Sequence, residues 1–184
     1  MSTVTRLRRA YFDCRYGQLH VHQAIPPGGG FDEATPLLCL PGRQGSGRFF
    51  QPVLAVLGAD RSIYAPDLPG CGESDAAGAT AGPEQYALAA IDLLDSLRQR
   101  QIDLLAHAEG AETAIAMETL RPQALVRRVV LSAAPPTAVE RLRALKIAFR
   151  ELTQPGLAAD RAALTLEPSQ VTDLIDFFGS ARPA

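Results

Sequence analysis

The segment Asp103–Glu112, which reads DLLAHAEGAE, is the stretch that most constrains the fold of this chain. The apolar run Ile102–Leu105 predicts a short strand, and small residues lead from it directly into a helical pattern. A strand that turns sharply into a helix is typical of parallel sheets, because parallel neighbours need a long crossover, which is usually helical. The segment therefore predicts an α/β fold.

The same alternation of strands and helices continues on both sides of this segment. Further strands are predicted at Tyr11–Tyr16, Leu19–Ile25, Pro36–Leu40, Ser62–Ala65 and Val126–Leu131. One helix is expected to begin at Pro83, which suits a first helical turn, and another to run from about Gly110 to Leu120. We therefore expect an open, mostly parallel sheet of about six strands, with helices on both faces.

The alternation ends after Pro135. Beyond it, two groups of apolar residues have helical spacing: Leu142, Leu145, Phe149 and Leu152, then Val171, Leu174, Ile175 and Phe178. No further β-branched run follows, so no further strand is expected. The predicted organisation is a core over residues 1–135 and a helical C-terminal segment over residues 136–184, which packs on the core or forms a lid.

Composition and charge narrow the function classes. A chain of 184 residues suits one domain. Lys and Arg number 18 against 20 Asp and Glu, and no continuous basic face is built, so nucleic acid is not an expected partner. No apolar run approaches a membrane span and no apolar leader is visible, so we expect a cytoplasmic protein without a membrane partner. The three cysteines match neither a disulfide framework nor a zinc pattern.

Four segments, in order, resemble motifs of the α/β-hydrolase superfamily. They are LCLPGRQGSGRFF at Leu38–Phe50, IYAPDLPGCGESD at Ile63–Asp75, AHAEGAETA at Ala106–Ala114 and VVLSAAP at Val129–Pro135. The third looks like the nucleophile elbow, G-x-S-x-G, in which a strained turn lifts a serine above the sheet. Here Ala108 stands at the serine position. In the second segment, Asp67 and Asp75 are expected to hold their loop together through local hydrogen bonds.

The chemistry of this superfamily needs a nucleophile, a histidine base and an orienting carboxylate. The resemblance places the acid after strand seven and the histidine after strand eight, but neither strand is predicted and no histidine follows His107. We therefore expect a truncated or degenerate member without the triad, and a fragment of a longer product is the alternative. An engineered serine-to-alanine change would explain Ala108 alone.

The resemblance also implies an oxyanion hole built from backbone N–H groups, at Arg43 and Glu109. Gly42 and Gly110 would leave room for a ligand, so these four residues form the predicted ligand-binding site. His107 and Glu109 are candidates for acid–base catalysis. The alternatives are a packing role for His107 and a solvated carboxylate at a helix N-terminus for Glu109.

No cofactor or metal is predicted. His20 and His22 share one face of an early strand, but a metal site needs a third ligand that the sequence does not identify. If the last two strands of the fold are missing, Val126–Leu131 becomes an edge, and edge strands pair readily with other chains. We therefore expect a homo-oligomer, formed as a homodimer through this strand.

Three functional hypotheses follow. The first is a catalytically inactive pseudo-hydrolase that binds a small ligand or a protein partner. The second is a hydrolase or lyase of unusual mechanism, in which the oxyanion donors act with His107 or Glu109. The third is a structural or interaction subunit that another chain completes.

Overall fold

A mixed sheet of seven strands forms the centre of the computed structural model, which describes residues 5–27, 34–43, 45–78, 81–121, 125–152 and 163–179. The strands are β1 (Arg6–Cys14), β2 (Gly17–Ile25), β3 (Leu37–Leu40), β4 (Ile63–Pro66), β5 (Ile102–His107), β6 (Val126–Ser132) and β7 (Ala148–Leu152). Their order across the sheet is β1-β2-β4-β3-β5-β6-β7. Only the pairs β1/β2 and β2/β4 are antiparallel among these strands. The predicted mostly parallel sheet is confirmed, with seven strands instead of about six.

Helices cover both faces of this sheet. They are α1 (Gln51–Leu57), α2 (Pro83–Ser96), α3 (Gly110–Leu120), α4 (Pro136–Ala144) and α5 (Pro168–Phe178), and a 3₁₀ turn at Gly47–Phe50 precedes α1. The apolar residues of α2, α3 and α4 pack on one face, and those of α1 and α5 pack on the other. The starts of α2 and α3 agree with the sequence predictions.

The central strands are buried on both faces because both layers of helices cover them. In β5, Leu104 packs towards α2 and α3, whereas Leu105 packs towards α1 and α5. Strand β3 alternates in the same way, with Leu38 on the first side and Leu37 on the second. Such strands read as continuous apolar runs in the sequence, because a sheet covered on both faces has no solvent side.

The prediction of a helix through Leu152 is wrong in its second half. Helix α4 ends at Ala144, and Lys146 adopts a left-handed φ of 58°, which stops the helix. The chain then forms β7, parallel to β6, with Phe149 and Leu152 packing on opposite faces of the sheet. Leu145, which the helical spacing placed on a buried face, is 41% exposed. Four apolar residues fit a helix followed by a strand as well as one long helix, and pairing with β6 decides between them.

The prediction that Val126–Leu131 is an edge is wrong for the same reason. Strand β7 pairs with β6 over Arg128–Ser132, so β6 has neighbours on both sides. A dimer through β6 therefore has no free edge to use, and β1 and β7 are the outer strands of the described sheet. Of the helices in the described ranges, none is long and apolar enough to cross a membrane.

Candidate functional site

The turn between β5 and α3 keeps the geometry of a nucleophile elbow. Ala108 has a φ of 47°, in the left-handed region that residues with a side chain rarely adopt. Its N–H donates to the Ser132 carbonyl at 2.8 Å, which ties the turn to the end of β6. Gly110 is required for close packing, since a Cβ there would lie 2.3 Å from the Leu40 carbonyl oxygen. The strained turn is thus present with a methyl group where a hydroxyl would act.

The loop after β3 lies against this turn. A hydrogen bond of 2.9 Å from the Gly45 N–H to the Gly42 carbonyl closes a tight turn that has Arg43 as its second residue. The Arg43 N–H donates to Glu109 Oε2 at 3.4 Å. A Cβ on Gly42 would lie 3.0 Å from that same oxygen and 3.3 Å from the Ala108 Cβ. The structure therefore brings three of the predicted ligand-binding residues, Gly42, Arg43 and Glu109, together at one place above the sheet. The fourth, Gly110, makes room for the backbone of β3 instead of for a ligand.

A cavity of about 330 Å³ opens above Ala108. Its walls include Gly42, Arg43, Ser46, Phe49, His107 and Glu109. Phe49 supplies an aromatic surface, whereas the backbone of Arg43 supplies a hydrogen-bond donor. The cavity thus combines apolar walls with a few converging polar groups, as small-molecule sites do.

His107 lines the cavity but is 4% exposed. Its Nδ1 lies 3.2 Å from Ser132 Oγ, and its ring contacts the Phe49 ring with 4.4 Å between centroids. Burial lowers the pKa of His107, so the imidazole is neutral at neutral pH. Its Nε2 is buried and has no hydrogen-bond partner among the described residues. The contacts with Ser132 and Phe49 fit the packing role, whereas Nε2 is the nitrogen that a catalytic base would use, so both roles stay predictions.

Two serine hydroxyl groups of the described residues lie at or next to this cavity, and each already has a hydrogen-bond partner. Ser46 reaches it, but Ser46 Oγ donates to Asp67 Oδ1 at 2.5 Å. Ser132 is hydrogen-bonded to His107 but is fully buried and does not line the cavity. The segment after β7, where the superfamily places its acid, falls at residues 153–162, outside the described residues. No histidine follows it in the sequence.

Asp67, at the end of β4, organises the loops beside the site. Its carboxylate accepts hydrogen bonds from Ser46 Oγ, the Gly47 N–H, the Glu73 N–H and His20 Nδ1. Burial alone would raise the pKa of this carboxyl, but the hydrogen bonds outweigh it, and the pKa lies below its usual value. The expectation that Asp67 holds its loop is confirmed. The structure adds that it also ties in β2 and the loop after β3.

This carboxylate is also the third metal-ligating group that the sequence did not identify. His20 Nδ1, His22 Nε2 and an Asp67 oxygen lie within 4.8 Å of one another. However, a carboxylate offers about four lone-pair positions, and four donors already occupy those of Asp67. His22 Nε2 is 3.8 Å from Asp67, beyond hydrogen-bond distance. The cluster is therefore explained as a structural hydrogen-bond network.

The fold and the elbow together define an α/β-hydrolase-type protein. The model of the alpha/beta hydrolase family matches residues 37–183, and the chain belongs to that family. The match extends through β7 and α5, so the C-terminal residues are part of the family pattern. No curated protein matches the chain.

Solved structures of several hydrolases are similar to this chain. The N-acyl homoserine lactonase AidH complexed with N-butanoyl homoserine is 26% identical with a TM-score of 0.60, over 70% of this chain and 46% of its own. Naproxen esterase from Bacillus subtilis is 22% identical with a TM-score of 0.60, over 71% and 44%. A Vigna radiata epoxide hydrolase mutant is 22% identical with a TM-score of 0.61, over 70% and 39%. The chain spans less than half the length of these proteins.

Proposed function

We propose that this protein is a non-catalytic member of the α/β-hydrolase family that binds a small carbonyl compound in the cavity above Ala108. The observation that carries the proposal is the elbow itself, whose left-handed turn is kept although Ala108 offers no nucleophile. A strained turn costs on the order of 1–2 kcal/mol at a residue with a side chain. Strain of this kind is found mainly where it serves a site.

Binding can continue without catalysis because the two depend on different groups. The Arg43 N–H faces Glu109 at the cavity, and the Glu109 N–H, which the family resemblance implies as the second donor, lies in the turn that precedes α3. Backbone donors of this kind bind a carbonyl oxygen whatever the side chains are. Acyl transfer would also require a hydroxyl or thiol beside a base, and Ala108 supplies neither.

The probe for this proposal comes from the structural neighbours. AidH was solved in complexes with N-butanoyl homoserine and with N-hexanoyl homoserine lactone. The latter carries a neutral amide and a lactone carbonyl, so it presents the group that the proposed donors would recognise. Binding should be measured by isothermal titration calorimetry, and lactone opening should be followed by mass spectrometry in the same samples.

The decisive variants are Arg43→Pro and Arg43→Ala. Position 43 is the second residue of the Gly42–Gly45 turn, where proline is favoured, so Arg43→Pro removes the N–H while preserving the turn. We expect it to weaken binding about tenfold, the upper range for one neutral hydrogen bond. Arg43→Ala keeps the N–H and serves as the control. Equal loss in both variants would contradict a role for the backbone donor.

Turnover decides between this proposal and the enzymatic alternative. We expect no opening of the lactone and no hydrolysis of p-nitrophenyl esters above the uncatalysed rate. Turnover that disappears in His107→Ala or Glu109→Gln would refute the non-catalytic assignment. The site would then be an enzyme with a rebuilt catalytic group.

A second candidate, an interaction subunit completed by another chain, is supported by β7. This strand pairs with β6 on one side and is outermost among the described strands. An outer strand offers unpaired backbone groups to a further strand, from a partner or from a second copy of this chain. Sedimentation equilibrium of the purified protein tests self-association. A monomer across the accessible concentration range would contradict the homo-oligomer.

A further inference from the structure

We infer that the Glu109 carboxylate accepts the Arg43 hydrogen bond in the place of a ligand's carbonyl oxygen, and that the ligand is a neutral acyl compound that displaces it. This inference rests on the proposed function and specifies its ligand class. It concerns a residue that the elbow geometry alone does not explain, because a turn of this shape accepts many side chains at that position.

The contact between Glu109 and the loop after β3 resembles the contact that a ligand would make. Glu109 Oε2 lies 3.4 Å from the Arg43 nitrogen, and the missing side chain of Gly42 leaves room for it. A carboxylate oxygen and a carbonyl oxygen accept the same hydrogen bond. They cannot both occupy the same donor at full strength, so a ligand that binds the Arg43 N–H competes with Glu109.

The same contact separates two cavities. A second cavity, of about 100 Å³, lies on its other side and shares Gly42, Arg43 and Glu109 with the larger one. Its remaining walls are mainly apolar and include Leu68, Ala81, Pro83 and Tyr86. Displacement of the Glu109 side chain therefore joins the cavity above Ala108 to the smaller apolar one.

The size and charge of the small cavity indicate what it takes. At about 30 Å³ for a group the size of a water molecule, it holds roughly three methylene groups. Two carboxylates, Glu109 and Glu112, line it with one guanidinium, that of Arg43. An anionic group would be repelled there, whereas a short alkyl chain would lose only its contact with water. The geometry points to a neutral amide or ester with a short acyl chain.

Calorimetry with N-acetyl, N-butanoyl and N-hexanoyl homoserine lactone tests this inference. We expect Glu109→Ala to tighten binding of all three by about threefold to tenfold, because the competing acceptor is gone. Glu84→Ala is the control. It removes an exposed carboxylate from the first turn of α2 that lines neither of the two cavities, and it should change affinity less than about twofold.

Chain length tests the apolar part. Affinity should rise from the acetyl to the butanoyl compound and then level off at the hexanoyl one, since the three carbons after the butanoyl carbonyl already fill a cavity for about three methylene groups. Ala81→Phe places a ring in this cavity and should abolish the gain from acetyl to butanoyl while leaving acetyl binding in place. An equal gain in Ala81→Phe and in the unmodified protein would overturn the assignment of the chain to this cavity.

An experiment without ligand separates this inference from the proposed function. In an NMR spectrum of the free protein, the Arg43 amide resonance should move on Glu109→Ala and stay in place on Glu84→Ala. If it does not move, Glu109 does not occupy the donor, and the inference is wrong even if lactones bind. If it moves and no lactone binds to any variant, the contact is real but the ligand class is refuted. Binding that Glu109→Ala leaves unchanged would refute competition while the proposed function stands.

Discussion

Replacing Asp67 by Asn should destabilise the protein more than any comparable change on its surface. Asp67 is 1% exposed and accepts four hydrogen bonds, two on each carboxylate oxygen. An amide keeps one acceptor oxygen and turns an NH₂ group towards two donors. At about 1.5–3 kcal/mol for each hydrogen bond to a charged group, losing two costs about 4 kcal/mol. That is a large part of the free energy of unfolding of a typical domain, which is about 5–15 kcal/mol.

The cost of Asp67→Asn should depend on pH. The pKa of Asp67 in the folded protein lies below its ordinary value, so its ionised form is the one that stabilises the fold. This stabilisation is fully present above the unfolded pKa of about 3.9 and is lost as the pH falls through the folded pKa. The difference between the two proteins should therefore be largest near neutrality and shrink in acid.

Urea unfolding followed by circular dichroism, at about pH 7 and about pH 3, measures both effects. Asp75→Asn is the control, because the exposed Asp75 carboxylate accepts one hydrogen bond of 2.8 Å from the Gln18 N–H. Its loss should cost about 1 kcal/mol or less. If Asp67→Asn costs no more than Asp75→Asn near neutrality, Asp67 does not organise the loops as described.

Three further predictions concern the elbow and the histidine pair. Gly110→Ala should lower the free energy of unfolding by about 2 kcal/mol, because the added Cβ would collide with backbone atoms of Leu40 that cannot move aside. This cost exceeds the gain from the better helix propensity of alanine. A variant that is more stable in urea unfolding would contradict the contact. Ala108→Ser should hydrolyse no p-nitrophenyl ester above the uncatalysed rate, since a serine nucleophile needs a base beside it and no histidine follows His107 in the sequence. Turnover that a further His107→Ala change abolishes would show that His107 Nε2 serves as that base. Added zinc should not raise the Tm of the protein, because hydrogen-bond donors already occupy the lone pairs of the Asp67 carboxylate beside the two histidines. A rise in Tm that His22→Ala abolishes would show that the cluster binds the metal.

The elbow was predictable because its information is local. Ile102–Leu105 is apolar, and Gly110 stands where only a glycine fits against the neighbouring strand. The strand alternation was equally local, so the mostly parallel sheet followed from it. Predictions of homo-oligomerisation and of catalytic inactivity depend on other molecules, and they stay predictions.

The errors arose where a neighbour in space decides the structure. The spacing of Phe149 and Leu152 fits a helix. These residues form β7 instead, because the backbone of β6 would otherwise be unpaired on that side and β7 pairs with it. The role of Asp67 was only half predictable, since its loop motif indicated local hydrogen bonds. Its bond to His20 joins residues 47 positions apart and has no signal in the local pattern.

The sequence by itself determined the family, the order of most elements and the alanine at the nucleophile position, because these depend on residue type and on short-range periodicity. Tertiary structure alone decided that β7 pairs with β6 and that Glu109 contacts the Arg43 N–H, although the two residues are 66 positions apart in the chain. Hydrogen bonds and close packing act between atoms a few ångströms apart, whatever their separation along the chain. The positions of the groups that meet in the cavity are therefore properties of the folded molecule.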